Sequence, residues 1–561
     1  MAPLNQHRCR FAFVWSPLVD SPKPQWNGRK GAVQVIGFGV DACRNMDGAT
    51  FSITGGPMGD ATPGTGRPNI LLILNDQERQ RDWIPDEVDL PARQRLIDSG
   101  LEFTNYYTHT SPCSPSRASL FTGQYVFQHG VTENSSGGTN TELATTTRTL
   151  GHMLRGVGYR TGYKGKWHLQ ARPDPEMDAF GFGDWEGNDM AWWGLPGTGT
   201  EFDDPIAEQS AAWIRGAAQG AEPWFLTAAL VNPHDIMWYP LDQPWWQERN
   251  PKYFAIAKER LERRDWGRAM NLPPFEFPVP ERFGELPANF DDDLHTKPDV
   301  HRRWMHEMVR YGTPGEMPHH ETELWLRQLD YYLTLHELND AAIATVLGAL
   351  DEVGGWNDTI VIFTSDHGDQ CGSHGLRSKG PWNYQETMRI PLYLHIPGQT
   401  APGSKTHALG THTDLAVTIA ELAGVTVGDE PGLVGESLLP LVANQETSVR
   451  DYVLFAQEWP WYPGVEQTRY ASTGIFDGRD KYCRYYGVGG GHDAIGVPLP
   501  GEMQFTRDSS FSDHDHEWYD LSEDPYELVN LAMDRGQRGE LRRRFDELMA
   551  IEAVAYAPIE R

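Results

Sequence analysis

Positive charge is scarce in this chain. Its 48 lysines and arginines stand against 78 carboxylates, a formal net charge of -30 at pH 7. That balance lacks the basic face that nucleic acids and anionic membranes require, so neither is an expected partner. A small anion needs only a few local cations and stays within reach. Cysteine is scarce too: five residues, Cys9, Cys43, Cys113, Cys371 and Cys483, scattered and odd in number. They form neither a disulfide framework nor a zinc spacing, which favours a reducing compartment. No apolar run approaches the length of a membrane span. The N-terminus carries Arg8 and Arg10 but no clean apolar core and small-residue cleavage site after them. The expected location is therefore cytoplasmic. No internal repeat is visible.

What is present describes a large globular protein. The chain has 561 residues, 39% of them hydrophobic and 22% charged, enough for one large core and a smaller one. Residues 1–66 read as a poorly ordered extension, because Gly, Pro and polar residues interrupt every short apolar run. Order begins at Asn69–Leu74, a continuous apolar run that reads as a strand buried on both faces and ends in Asn75-Asp76-Gln77. Further strands are expected at 101–103, 159–163, 223–231 and 359–364, and helices at 91–99, 149–157 and 321–353, the last being the longest. Three of the apolar strands end in polar groups: Asp76, then Asn232-Pro233-His234-Asp235, then Ser365-Asp366-His367-Gly368-Asp369. In open α/β sheets, sites form beyond such carboxyl ends. The expected fold is α/β: a large mixed, mostly parallel sheet with helices on both faces over residues 67–450. A smaller α+β domain is expected over 451–561, with strands near 452–455 and 481–486 and a final helix at 537–553.

The densest motif is Cys113-Ser114-Pro115-Ser116-Arg117. Pro two residues after Cys suits the first turn of a helix. The thiol then sits at a helix N-terminus, which favours anions and is expected to lower its pKa. Arg117 lies one turn on and supplies a planar fork for an oxyanion. Taken alone, the motif is equally a buried Cys before an ordinary helix. Asp76, Asp366 and His367 are hard or borderline donors at strand ends, and Gln77 offers an amide oxygen. Converging, they suit a divalent cation, although singly each Asp reads as a cap or turn former. Lys166 and His168 share a side if their segment is extended, where they would hold an anion and move a proton. His234 is a strand-end proton donor candidate, and Lys379 a second anion clamp; a solvated surface role is the plain alternative for both. Tryptophan is abundant, 20 residues, clustered at Trp185, Trp192-Trp193, Trp238 and Trp245-Trp246. These either line a substrate pocket or pack under long loops.

With those motifs in place, the chain resembles the formylglycine-dependent sulfatases of the alkaline-phosphatase-like superfamily, from about Pro68 to Ala532. The resemblance runs through residues 68–76, 113–117, Gly165-Lys166-Trp167-His168-Leu169, 365–369 and the segment 519–532. It implies that a maturation enzyme oxidises Cys113 to formylglycine, an aldehyde held as its hydrate. One hydroxyl attacks the sulfur or phosphorus centre; the other then loses its proton and expels the bound anion. It further implies that Asp76, Gln77, Asp366 and His367 hold one divalent ion together with position 113. Arg117 and Lys166 orient the hydrate and the anion, His168 is the base, and His234 and Lys379 contact the transferred group and protonate the leaving oxygen.

Two departures bear on the substrate. Asp76-Gln77 replaces the two adjacent Asp of many sulfatases, and Asp366-His367 replaces Asp-Asn. This less anionic set also resembles phosphonate monoester and phosphodiester hydrolases and choline-sulfatase-like members. Calcium is the expected ion, with manganese as the alternative. The expected substrate is a small sulfate ester; the rival is a phosphonate or phosphate diester. Two further rivals are a binding protein with unmodified Cys113 and a thiol nucleophile paired with a His. Self-association is left open.

Overall fold

The structure is a computed structural model. It describes residues 67–135, 142–189, 197–241, 243–252, 254–255, 278–308, 317–458, 468–487 and 506–559. The expected extension over 1–66 and the pair Trp192-Trp193 lie outside the described residues.

The main sheet has seven strands: β1 (Asn69–Asp76), β2 (Leu101–Tyr107), β3 (Arg160–Gly165), β4 (Trp224–Pro233), β5 (Thr359–Ser365), β6 (Leu392–His395) and β7 (Ser404–Thr411). Their order is β3-β4-β1-β5-β6-β2-β7. Every pairing is parallel except the two made by β6. β1 lies between β4 and β5, with Ile70 opposite Phe225 on one side and Ile360 on the other.

The helices that cover the sheet are α1 (Pro91–Ser99), α2 (Cys113–Thr122), α3 (Leu150–Gly156), α4 (Thr198–Ala217), α5 (Thr322–Glu352) and α6 (His412–Leu422). The alternation along β1 sorts them into two layers. Ile70, Leu72 and Leu74 pack with α2, α3 and α6. Leu71 and Ile73 face the other way, against α1, α4 and α5. Burying each such side chain is worth roughly 1.5–3 kcal/mol, far more than the tenths by which strand propensities differ locally. A continuous apolar run is therefore the expected signature of this position.

The second sheet is antiparallel, with β8 (Val453–Gln457), β9 (Ala471–Phe476), β10 (Asp480–Tyr486) and β11 (Asp515–Asp520) in the order β11-β10-β9-β8. Helix α7 (Arg538–Ala555) lays Phe545 and Leu548 on its Tyr482 and Trp518. The mixed sheet with two helical layers and the small C-terminal α+β unit agree with the expected fold class. Among the described residues, no helix is long and apolar enough to cross a membrane.

Several features depart from the sequence reading, helix α6 among them, since no helix was expected over 412–422. β2 continues to Tyr107, past the expected end at Phe103. β6 and β7 were not expected: β6 has only four residues, and β7 is half exposed and reads as loop. Helix α4 was missed because Gly197 and Gly199 open it and Pro205 lies inside it, signals that ordinarily end helices. The segment after β3 is also not extended. His168 adopts a left-handed backbone, φ 57°, so the alternation that placed Lys166 and His168 on one side does not apply.

Gly165 ends β3 at φ 91°, and an added Cβ would lie 1.9 Å from the Ala229 carbonyl oxygen. Both strain and overlap therefore oppose any side chain there. Gly165→Ala is expected to cost at least about 2 kcal/mol, read as a lower denaturation midpoint in urea. An unchanged midpoint would contradict this account of how Lys166 is placed.

Candidate active site

The carboxyl ends of β1, β3, β4 and β5 lie side by side in the sheet, and each delivers one polar group. Asp76 is the last residue of β1, Lys166 follows β3, His234 follows β4, and Asp366-His367 follow β5. Helix α2 brings Cys113 to the same edge, with Pro115 in its first turn as the sequence motif required. All these side chains are buried, Cys113, Asp76, Asp366, Lys166 and His367 completely.

Arg117 organises the centre. Its Nη2 donates to Asp76 Oδ2 at 3.0 Å, its Nε to Asp366 Oδ2 at 2.9 Å, and its Nη1 to the Lys166 carbonyl at 2.8 Å. The guanidinium thus ties together three strand ends. Lys166 Nζ adds a hydrogen bond to Asp76 Oδ2 at 2.5 Å and stands 3.8 Å from Cys113 Sγ. The Cys113 sulfur lies 3.5 Å from Asp76 Oδ1 and 3.3 Å from His367 Nε2. The backbone N–H groups of Gln77 and His367 both donate to Asp366 Oδ1.

A donor atom each from Asp76, Cys113, Asp366 and His367 lies within 4.8 Å of every other. His367 Nδ1 is 2.9 Å from the Gly368 carbonyl, which accepts only if that nitrogen carries the proton. Nε2 is then a lone pair turned toward the two carboxylates, the tautomer a metal ligand needs. Two carboxylates, one imidazole and position 113 therefore fit a divalent cation. Gln77 stands beside them with its amide engaged: Nε2 donates to Asp369 Oδ2 at 2.5 Å, and Oε1 accepts from Lys379 Nζ. Lys379 also donates to His234 Nε2 at 3.0 Å, and that nitrogen is 3.9 Å from Asp76 Oδ1. Lys379 thus joins the cluster from the loop after β5.

The electrostatics divide the groups. Burial alone would raise Asp76, but Lys166, His234, Arg117 and His367 outweigh it and hold the carboxylate well below its ordinary range. His168 and His234 are pushed well down, first by burial and then by Lys166 and Arg117 for His168 and by Lys379 for His234. Both imidazoles are neutral at neutral pH. The Cys113 thiol moves up, to about 11, through burial and the Asp76 charge, with Lys166 and Lys379 offsetting only part. This corrects the expectation of a lowered thiol pKa. A helix terminus is worth tenths of a kcal/mol to about two, and two buried carboxylates beside the sulfur exceed it. As an unmodified side chain, Cys113 is a neutral thiol, which disfavours the thiol-nucleophile rival.

The structure brings Cys113, Arg117, Lys166, His234, Lys379, Asp76, Gln77, Asp366 and His367 together by direct contact. His168 comes through its backbone: its carbonyl accepts from Ser114 Oγ at 2.5 Å, and the fields of Lys166, Arg117, Asp76 and Lys379 act on its ring. Two further residues support the site. Asp189 takes the N–H groups of Trp167 and His168, each at 2.9 Å, and holds the left-handed turn. Asp369 fixes Gln77. Asp369 was visible within its motif, but Asp189 carries no local sequence signal. Of the Trp residues, Trp185 donates to the Gly165 carbonyl and Trp238 is buried, whereas Trp245 is 43% exposed.

A mixed parallel sheet whose strand ends carry this donor set around an activatable residue defines a hydrolase of the alkaline-phosphatase-like superfamily. Comparison with known proteins narrows the class. Residues 68–425 match the sulfatase family, and residues 372–494 match the N-sulphoglucosamine sulphohydrolase C-terminal family. The chain belongs to the sulfatase family and is a sulfuric ester hydrolase. It is 28% identical to arylsulfatase A of Homo sapiens, over 83% of each chain. It is 25% identical to the choline-sulfatase of Rhizobium meliloti, again over 83% of each. Among solved structures, a 2-O GAG sulfatase superposes with a TM-score of 0.64 at 22% identity, covering 88% of this chain and 93% of that one. A phosphonate monoester hydrolase of Silicibacter pomeroyi superposes with a TM-score of 0.60 at 20% identity, covering 87% and 95%.

The thiol shift has a consequence for stability. A thiol whose folded pKa lies near 11, above its ordinary 9.0, stabilises the fold fully below pH 9 and loses that contribution as pH rises toward 11. Two units correspond to about 3 kcal/mol. Unmodified protein is expected to lose stability between pH 9 and 11 relative to Cys113→Ala, measured by urea denaturation at each pH. Parallel pH profiles would contradict it.

Proposed function

We propose that the chain hydrolyses small sulfate esters through a formylglycine made from Cys113 by a maturation enzyme. Asp76, Asp366 and His367 hold one divalent ion together with position 113, and Gln77 flanks it. The observation that carries this reading is the meeting of Cys113 Sγ with two carboxylates and an imidazole lone pair at one buried sheet edge. A bound divalent ion would supply positive charge for the sulfate oxygens and for an ionising hydroxyl. The imidazole nitrogen and amide in the set leave manganese as an alternative to calcium.

The chain's own residues account for the leaving-group and elimination protons. One hydroxyl of the aldehyde hydrate releases its proton to water and attacks sulfur, and the bond from sulfur to the leaving oxygen breaks. The departing alkoxide takes a proton from the His234–Lys379 pair. Because His234 is neutral, Lys379 is the proton carrier of that pair, its Nζ already directed at Nε2. His168, also neutral, then accepts the proton of the second hydroxyl. The carbon–oxygen bond to sulfate breaks, its electron pair leaves with sulfate, and the aldehyde reforms and takes up water. Lys166 and Arg117 hold Asp76 and Asp366 in place and supply local positive charge. A reducing, cytoplasmic compartment fits the buried free thiols.

A second reading has its own support. Gln77 and His367 make the set less anionic than paired Asp and Asn would. The chain is also 28% identical to the multifunctional alkaline phosphatase superfamily protein PehA of Trinickia caryophylli, over 68% of this chain and 78% of that one. A phosphonate or phosphate diester is therefore the competing substrate.

Two assays test the proposal. An aryl sulfate is expected to turn over faster than an aryl phosphonate; a phosphonate preference of orders of magnitude would transfer the chain to the second reading. Serine can take part in the attack but cannot expel sulfate by forming a carbonyl. Cys113→Ser is therefore expected to release about one equivalent of phenol and to retain sulfate as a covalent ester. Sustained turnover by that variant would exclude the hydrate mechanism.

A further inference from the structure

We propose a second divalent-metal site, separate from the centre at Cys113, formed by His374, Glu386 and Glu527. One donor atom from each lies within 4.8 Å of the other two. The three come from distant parts of the chain. His374 lies in the loop after β5, Glu386 in the short helix Gln385–Met388, and Glu527 in the segment after β11.

The arrangement of His374 carries the inference. It is 1% exposed, and its ring stacks on Tyr384 with centroids 3.9 Å apart. Its Nδ1 is 2.8 Å from Asp292 Oδ2, a contact that needs the proton on Nδ1. Nε2 is then an acceptor, buried, with no hydrogen-bond partner. Glu386 repeats the pattern: Oε1 accepts from Asn289 Nδ2 at 3.0 Å, whereas Oε2 is buried with no partner. Two acceptors cannot satisfy each other, and no donor reaches either. Only a cation or a bound proton reconciles them.

A carboxylate behind one imidazole nitrogen, with the other nitrogen facing carboxylates, is the usual second-sphere support of a metal-binding His. Glu527 is held at Oε2 by the Gln385 N–H, 2.9 Å away, and its Oε1 contacts Lys481 Nζ. Lys297 stands 3.7 Å from Asp292, and Arg79 lines the neighbouring cavity. None of these cations bonds His374 Nε2 or Glu386 Oε2. An entry path is present: Glu386 opens on a cavity of about 610 Å³ that Asn289, Gln385 and Tyr526 also line.

One nitrogen and two carboxylate oxygens select a borderline ion such as Zn²⁺ or Mn²⁺ over Ca²⁺. Distances of about 2.0–2.2 Å to an ion require the two carboxylates to close around it by rotation. The ion would link the loop that carries Asp366 and His367 to the second sheet.

The competing account is a proton: a His374 imidazolium donating to Glu386, with no metal. Chelator-stripped full-length protein is equilibrated with Zn²⁺, and bound metal is measured by elemental mass spectrometry. Wild type is expected to hold one equivalent more than either Glu386→Gln or His374→Ala. Equal metal content in wild type and the variants would overturn the site. The difference tests this cluster whether or not the centre at Cys113 also takes Zn²⁺. If the variants fail to fold, anomalous scattering from Zn²⁺-soaked wild-type crystals decides. A peak between His374 Nε2 and Glu386 Oε2 supports the site, and its absence with the protein otherwise ordered overturns it.

Discussion

Arg117 spans Asp76 and Asp366 with a guanidinium that is completely buried along with both partners. Two carboxylates brought this close inside a protein repel each other and lose their hydration, so one would ordinarily take up a proton. The fork of Arg117, aided by Lys166, keeps Asp76 ionised and aims both groups at one point. Removing one partner of such a buried set costs about 3–5 kcal/mol, because the charges left behind have no solvent. The strand ends, the turn at Gln77 and the first turn of α2 all converge on this fork. Ser116 Oγ, one residue before Arg117, reinforces it by donating to the Asp366 carbonyl at 2.5 Å.

The same enclosed charges assign tasks to their neighbours. Burial beside cations holds His168 and His234 neutral, as a proton acceptor and a lone-pair partner require. Burial beside carboxylates raises the thiol, so sulfur here is a poor nucleophile. A site so unsuited to a thiolate makes sense if the working group at position 113 is not a thiol. An aldehyde hydrate needs no low pKa of its own when cations surround it, and its second hydroxyl provides the exit that serine lacks.

Much of this was legible because two strong local signals coincided. β1 was visible as an uninterrupted apolar run, and α1 matched its expected bounds because Pro91 opens it and Gly100 closes it. Polar groups just past apolar strands marked the site, and the order of the motifs marked the family. What escaped notice depends on tertiary context. β6 and β7 are short or half exposed and gain their identity only by pairing, β6 with β2 and β5, β7 with β2. The thiol shift runs opposite to the sequence expectation because helix position is visible in sequence and burial beside two carboxylates is not. Asp189 acts through two backbone N–H groups across a turn that no periodicity reveals. The contacts of Arg117 were foreseen as an anion clamp, and in the structure its three nitrogens reach Asp76, Asp366 and the Lys166 carbonyl.

The central claim is that Cys113 is a precursor and not the reacting group. Mass analysis of the peptide that spans Cys113, taken from active protein of its natural host, tests this directly. The account predicts an aldehyde in place of the thiol, trapped as a hydrazone by a hydrazine reagent. An intact cysteine in fully active protein would contradict it.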